Sequence, residues 1–356
     1  MAGDLAQDGQ EVSLVANPPE GVLGTQRGSA EWPITPHEVT VAIEGWNAQD
    51  LHSRRVFERS LRSLTAQTYP LRECQVLVIV DDSSSEADTA WILGELPGAS
   101  MLRVRDATYF RAKNRAMEAA KGSVLVFADS DVRYSPQWLH LLLGCFKPGV
   151  ELVAGNTQYE KGLLSTTLSL CDWSATRSKS GPTDWFYGNN LAMKRSVFGR
   201  IRFRDDLGRS GGGAVNILRE ELLALGVTPW MCAEARAWHH LAPFLEKRLR
   251  VGGYQIQFRR KAPETSWSWM ADVPLMAPFL VTAGTLLKTY QRSWRLRSTL
   301  PGRGVSLPAY LCSIAFVKSF ELAGAALVAW APAWVSRRYG WFDVPAAAGQ
   351  ATFGRF

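Results

Sequence analysis

From about Glu38 to Gly155 the apolar positions switch repeatedly between two spacings. "VTVAIEGWN", "CQVLVIVDDSSS", "SMLRVRD" and "VLVFADSDVRY" are short runs rich in Val, Ile and Leu that end in polar residues. They read as strands, and their near-continuous apolar character fits strands covered on both faces. Between them, "SRRVFERSLRSLTAQ", "ADTAWILGEL" and "YFRAKNRAMEAAKG" space apolar residues three and four apart, as helices with one buried face do, the last closing at Gly122. Strand and helix alternating at these lengths predict an α/β fold with a doubly wound, mostly parallel sheet and right-handed crossovers. No G-x-G-x-x-G follows the first strand and no P-loop sequence is present, which argues against dinucleotide-binding and Walker-type nucleotide-hydrolysing domains. No internal repeat is visible.

Two of these strands end in acidic loops, "VDDSSSE" at residues 80–86 and "ADSDV" at residues 128–132. Open α/β sheets bind ligands at the carboxyl ends of their strands. Asp129 and Asp131, with Ser130 between them, are oxygen ligands two residues apart on a turn, a spacing that suits a hard divalent cation completed by water and phosphate. The same aspartates also suit the cap of the helix that "SPQWLHLLL" begins. If the two strands are neighbours, both loops meet one ligand. The first would then accept hydrogen bonds from a nucleobase N–H or ribose hydroxyl, and the second would hold a metal-bridged diphosphate. Asp82 alternatively closes an Asx-turn with the serines after it.

Composition bounds the remainder. The 356 residues are 46% hydrophobic and 21% charged, so the chain can bury one large core or two modest ones. Five widely separated cysteines without C-x-x-C spacing suit reduced thiols in a cytosolic setting. The first 37 residues lack a basic start and an apolar run, and read as a flexible leader without a signal peptide. The net charge of +7 is uneven: from residue 241 onward there are 15 Lys/Arg against 5 Asp/Glu, together with 6 of the 14 tryptophans. Basic residues beside Trp and the apolar runs "VPLMAPFLVTAGTLL" and "LAGAALVAWAPAWV" fit an anionic membrane surface better than nucleic acid, for which no recognised binding motif is present. Both runs fall short of the roughly 20 residues of a spanning helix, with Lys318 and Glu321 interrupting the approach to the second. This favours peripheral or re-entrant association over a span, an ordinary buried helical subdomain being the plainer alternative.

Five segments in order carry a family resemblance: "LRSLTAQTYP", "VIVDDSSSE", "AKNRAMEAAKGSVLVFADSDV", "YGNNLAMKRSVF" and "AEARAWHH". Across about residues 39–240 the chain resembles the family 2 glycosyltransferases, whose nucleotide-sugar-binding fold is called GT-A. The resemblance implies a GT-A domain at residues 38–240, followed by a basic, Trp-rich helical extension at 241–356. It implies that Asp82 binds the base, Asp129 the ribose or a metal and Asp131 the metal, with His239 as a further ligand. Trp46 would wall the base pocket, Gly188 would let the sugar approach the backbone, and Lys113 would either neutralise phosphate or lie on a solvated helix face.

Two departures stand out. Glu44 puts an extra acid beside the expected nucleotide, where the family has "I-I-P-T-Y-N". The Glu-Asp pair that supplies the family's base is replaced by Gly213, Ala214 and Val215 in "GRSGGGAVNILREELLALG". Asp206, before the glycines, is the favoured substitute, whereas Glu220 and Glu221 lie too far along the helix and read as solvated charges. The expected activity is transfer of a sugar from a nucleotide-diphospho-sugar to a lipid-linked or membrane-proximal acceptor hydroxyl, with inversion and Mg or Mn, at the cytoplasmic side of the membrane. A degenerate GT-A module that binds without transferring is the alternative. A GT-A-like nucleotidyltransferase ranks lower, because no basic, Gly-rich triphosphate loop follows the first strand.

Overall fold

The computed structural model describes residues 34–45, 51–159, 162–172, 179–183, 186–206, 214–240, 244–261, 267–273, 275–295 and 306–339. The first half alternates as the sequence pattern requires: β1 (Val39–Glu44), α1 (Leu51–Thr65), β2 (Gln75–Asp81), α2 (Glu86–Glu95), β3 (Ser100–Val104), α3 (Tyr109–Ala119) and β4 (Val124–Asp129). There follow β5 (Val132–Tyr134), α4 (Trp138–Gly144), β6 (Leu152–Gln158), α5 (Leu163–Asp172), β7 (Gly181–Pro182), β8 (Asn190–Lys194), α6 (Arg195–Phe198), α7 (Ala214–Ala224) and β9 (Trp230–His239). The strands form one sheet in the order β3-β2-β1-β4-β8-β6-β9-β5, with β7 paired to β9 beside this path. β3, β2, β1 and β4 are mutually parallel, and β8 is inserted antiparallel to both β4 and β6.

Every residue of β1 and β4 is buried, because helices cover both faces. Val39, Val41 and Ile43 point to the core shared with Phe57 and Leu61 of α1 and Trp138 of α4. Ala42, Leu125 and Phe127 point to the opposite core, with Phe110 and Ala116 of α3 and Leu218 of α7.

Three sequence expectations are revised. β2 and β4 are not neighbours, since β1 lies between them, so Glu44 separates the two acidic loops. Gly122 does not close α3, which stops at Ala119 with Ala120 as its C-cap. Gly122 instead serves a close backbone approach: a Cβ there would lie 2.4 Å from the Glu38 carbonyl oxygen. The third revision concerns the extension. It comprises α8 (Phe244–Lys261), α9 (Ala277–Arg295), α10 (Leu307–Trp330) and α11 (Pro332–Tyr339). α10 runs unbroken for 24 residues and contains an 18-residue stretch with a mean hydropathy of 1.7, long and apolar enough by those criteria to cross a membrane, although 39% of that stretch is buried inside the protein.

Lys318 and Glu321 do not interrupt α10, because their charges are matched internally. Lys318 Nζ donates to Glu321 at 2.7 Å, and Arg248 of α8 reaches Glu321 at 3.2 Å and both oxygens of Asp172 at 2.8 and 2.7 Å. α8 and α10 cross almost backbone to backbone at glycines: a Cβ on Gly252 would lie 1.8 Å from the Glu321 carbonyl oxygen, and one on Gly324 would lie 1.9 Å from that of Leu249. Gly324→Ala is therefore expected to cost about 1–3 kcal/mol by overpacking. Gly94→Ala, on the helical Gly94 with open space around it, should leave stability unchanged or raise it by up to about 1 kcal/mol. Urea unfolding of both variants is the check.

Candidate active site

The chain builds outward through β1, β2 and β3 and then returns to place β4 on the other side of β1. At such a reversal the loops leave the sheet in opposite directions and open a crevice at its carboxyl edge. Glu44, the last residue of β1, pairs in register with Ile79 of β2 and Asp129 of β4.

Asp129 is buried, and its carboxylate is engaged on both oxygens. Lys113 Nζ donates to Oδ1 at 2.7 Å and the Tyr109 hydroxyl donates to Oδ2 at 2.7 Å. Tyr109 and Lys113 stand four residues apart on α3, hence on one face; Thr108 caps that helix through the Arg111 amide. The Lys113 ammonium also lies 4.4 Å from the Tyr109 ring centroid and 4.9 Å from that of Phe127. Burial, and next the Asp129 charge, hold the Tyr109 phenol well above its ordinary pKa, so it remains a hydroxyl donor. Gly188 lies directly over this group, where a Cβ would be 3.5 Å from the Tyr109 hydroxyl and 3.7 Å from Lys113. Lys113, 2% exposed, is thus neither a solvated helix charge nor an open phosphate ligand.

Glu44 is 4% exposed. The Ser130 hydroxyl is 3.4 Å from its Oε1, a long contact, and its Oε2 has no hydrogen-bond partner. Burial first, then the charge of Asp129, push this carboxyl well above the usual range.

Asp131 and His239 are brought together by the antiparallel pairing of β5 with β9, which sets Val132 opposite His239, and by the His240 amide donating to the Asp131 carbonyl at 2.7 Å. Their side chains meet at 3.3 Å, Oδ2 to Nε2. His239 Nδ1 lies 2.7 Å from the His240 carbonyl oxygen, which only accepts, so the ring proton belongs on Nδ1. Burial lowers the pKa of His239, against the raising influence of the Asp131 charge. The two line a cavity of about 300 Å³ with Arg59, Arg133, Ser165 and His240.

On the other flank, the Asx-turn belongs to Asp81 rather than Asp82. The Asp81 carboxylate accepts from the Ser83 amide at 3.0 Å, its hydroxyl at 2.5 Å and the Ala107 amide at 2.8 Å. Asp82 is anchored by its amide to the Val104 carbonyl, and its residue is exposed at the mouth of the crevice.

Asp129, Asp131 and His239 do not assemble as three ligands: among the described residues no group of three or more His, Cys, Asp or Glu side chains is arranged to hold a metal ion. Asp131 and His239 fit a divalent cation as a pair, with a hard oxygen and an imidazole nitrogen whose partner nitrogen is oriented by a carbonyl. Asp206 forms a two-pronged pair with Arg204 at 2.7 and 2.6 Å and is half exposed. Ala214 begins α7 fully buried, and Glu220 and Glu221 lie at the surface. Trp46 and the glycines before Ala214 lie outside the described residues.

A second network was not expected. Lys247 of α8 donates to the Tyr159 hydroxyl at 2.6 Å, which donates to Asp172 at 2.7 Å, while the Tyr159 ring meets that of His239 at 5.6 Å. Burial pushes Lys247 down to about 8. Only its place in "FLEKRLR", just beyond "AWHH", hinted at it.

A parallel half-sheet with carboxylates at three adjacent strand ends, extended by an antiparallel β8 and a returning β9 that delivers a histidine, is the GT-A glycosyltransferase architecture. Residues 52–199 match the family described as Glycosyl transferase family 2, and that segment is a family 2 glycosyltransferase domain. Over 214 residues, 56% of this chain and 68% of the relative, the protein is 27% identical to glycosyltransferase AglE of Haloferax volcanii. Its fold is similar to that of the mannosyltransferase PcManGT from Pyrobaculum calidifontis, solved with GDP-Man and Mn2+, at TM-score 0.53 and 16% identity over 85% of this chain and 91% of that one. A third likeness, to TarS residues 1–349 of S. aureus, has TM-score 0.46 and 13% identity over 85% of this chain and 92% of that one.

The Lys113–Asp129 pair sets a test of the site's framework. Lys113→Met, which strands a buried carboxylate, should cost about 3–5 kcal/mol. Adding Asp129→Asn to it should recover part of that loss, as measured by chemical denaturation of the single and double variants.

Proposed function

We propose that this glycosyltransferase moves a sugar from a nucleotide-diphospho-sugar to an acceptor hydroxyl, with inversion at the anomeric carbon and with Mg or Mn held at Asp131 and His239. The observation that carries the reading is the 3.3 Å approach of Asp131 Oδ2 to His239 Nε2. A carboxylate oxygen and an imidazole nitrogen this close together are ligand atoms that one divalent cation can take jointly. A divalent ion there would supply Lewis-acid charge for the leaving diphosphate.

The chain's own groups divide the remaining work. Asp82, exposed at the end of β2, takes the base. Gly188, bare of a side chain, lets the donor approach the backbone above Tyr109 and Lys113, which hold Asp129 in place beneath it. Attack by the acceptor oxygen opposite the diphosphate gives inversion, and a base must take its proton. Asp206 can serve only if its pair with Arg204 opens. The family's usual position is closed to that role, because an acid replacing the fully buried Ala214 would need desolvation. That same burial favours the second reading, a GT-A module that binds a donor without transferring from it.

Calorimetry with a panel of nucleotide sugars, with and without Mn²⁺, separates the readings when uncoupled donor hydrolysis is followed in parallel. Asp131→Asn should weaken binding about tenfold or more only when metal is present, and Asp82→Ala should weaken it with or without metal. An equal loss for Asp131→Asn under both conditions overturns the metal assignment, and binding without hydrolysis favours the non-transferring module.

The acceptor is proposed to be lipid-linked or membrane-proximal, with the protein on the cytoplasmic face. Support comes from the large apolar side chains that the extension leaves exposed, among them Trp269, Leu275, Phe279, Trp294, Trp330 and Trp334. Lys288 stacks on Trp267 at 4.1 Å beside them, the pairing of cation and aromatic that suits a headgroup region. Flotation with anionic liposomes should show binding that weakens as salt rises; binding indifferent to lipid charge and salt would instead indicate a spanning α10.

A further inference from the structure

The resemblance to the family assigns ribose to Asp129, but in this chain both oxygens of that carboxylate already accept, from Lys113 and Tyr109. We propose that Glu44 reads the ribose of the donor nucleotide, accepting hydrogen bonds from its 2′- and 3′-hydroxyls. The inference rests on the nucleotide-sugar reading above and names which group selects the nucleoside.

The sheet order supplies the geometry. β1 lies between β2 and β4, and neighbouring strands are about 4.8 Å apart, so the ends of β2 and β4 are separated by about 10 Å. A nucleoside diphosphate is ordered base, ribose, diphosphate. With its base at Asp82 beyond β2 and its diphosphate at Asp131 beyond β4, the ribose falls over the end of β1. The residue there is Glu44, in register with Asp129 and followed by Gly45, whose amide is committed to the Ile79 carbonyl at 2.6 Å.

The chemistry agrees with the placement. Glu44 Oε2 is buried without a hydrogen-bond partner, while the rest of the carboxyl group is met by the Ser130 amide and, at 3.4 Å from Oε1, by the Ser130 hydroxyl. A buried polar atom left unmade is costly, and its retention beside a ligand crevice points to a donor supplied from outside. A vicinal diol presents two hydroxyl donors side by side, matching the two oxygens of one carboxyl group.

The test compares a nucleoside diphosphate of the base found by the donor panel with its 2′-deoxy and 3′-deoxy forms, using calorimetry in Mn²⁺. The wild type should bind the ribo form about ten- to a hundredfold more tightly than at least one deoxy form. In Glu44→Ala the ribo form should fall to the deoxy affinity, the ratio approaching one, whereas Glu44→Gln, which keeps one acceptor, should be intermediate. Glu44→Ala should fold, since it removes a buried polar group that lacks a partner; thermal unfolding verifies this. A wild type that does not discriminate, or a discrimination that survives in Glu44→Ala, overturns the inference while leaving the nucleotide reading intact. Failure of every nucleoside diphosphate to bind the wild type overturns both.

Discussion

The buried contact between Lys113 and Asp129 is the constraint from which the rest of the site follows. A carboxylate at the end of a central strand, sealed beneath helices, would be a heavy liability without a cation and a donor of its own. α3 supplies both from one face, and that fixes the rotation of the helix against the sheet. The rotation places Phe110 in the core against Phe203, with ring centroids 4.6 Å apart. It also brings Asn114 to exchange two hydrogen bonds with the backbone of Phe203, and Gly188 to lie over Tyr109 and Lys113. The pair thereby holds three separate stretches of chain around one crevice, and it does so by using up the carboxylate that the motif would seem to offer to a ligand.

The active-site half and the helical extension are joined by the same kind of device. Arg248 meets Asp172 and Glu321, so α5 of the catalytic domain and α10 of the extension share one buried cation. The next residue back, Lys247, reaches Tyr159, whose ring touches that of His239. A charged side chain and its neighbour on α8 therefore face the extension and the edge that carries His239 respectively. The extension is packed into the catalytic domain through complementary charge and through backbone contact at Gly252 and Gly324, an arrangement in which neither part can shift without disturbing the other.

Much of the parallel half-sheet was legible, because strands buried on both faces write themselves as continuous apolar runs and the intervening helices as three-and-four spacings. The carboxyl-end position of Glu44, Asp82, Asp129 and Asp131 followed from that. Strand order did not, since nothing local in "VTVAIE" says that it will lie between "QVLVIVD" and "VLVFAD". Two residues, Gly181 and Pro182, are too few to show a period. The state of Asp129 was also illegible from its own motif, as D-x-D reads alike whether its oxygens are open or taken. The usable signal was the four-residue spacing of Tyr109 and Lys113 on a helix adjoining that strand. α10 was misjudged for a related reason: Lys318 and Glu321 look like breaks in an apolar run until it is seen that they lie one turn apart and neutralise each other.

The substitutions that set this chain apart from the pattern it resembles fall on both sides of the donor. Where an acidic pair is expected beyond the sugar, the chain has a buried Ala214 packed among Leu191, Phe198 and Leu218 in the second core. Where an uncharged strand end is expected, it has Glu44. An acid at Ala214 would have to be desolvated against apolar neighbours; Glu44 is desolvated too, beside Asp129, but Lys113 and the Ser130 amide offset part of that cost. A carboxyl group is thus missing at the start of α7 and present at the end of β1. On the proposed reading, the gain at Glu44 would strengthen discrimination of the donor, and the loss at Ala214 would leave proton removal to Asp206 or to an acceptor that arrives already activated. Donor recognition would then be more fully built into the folded chain than acceptor activation.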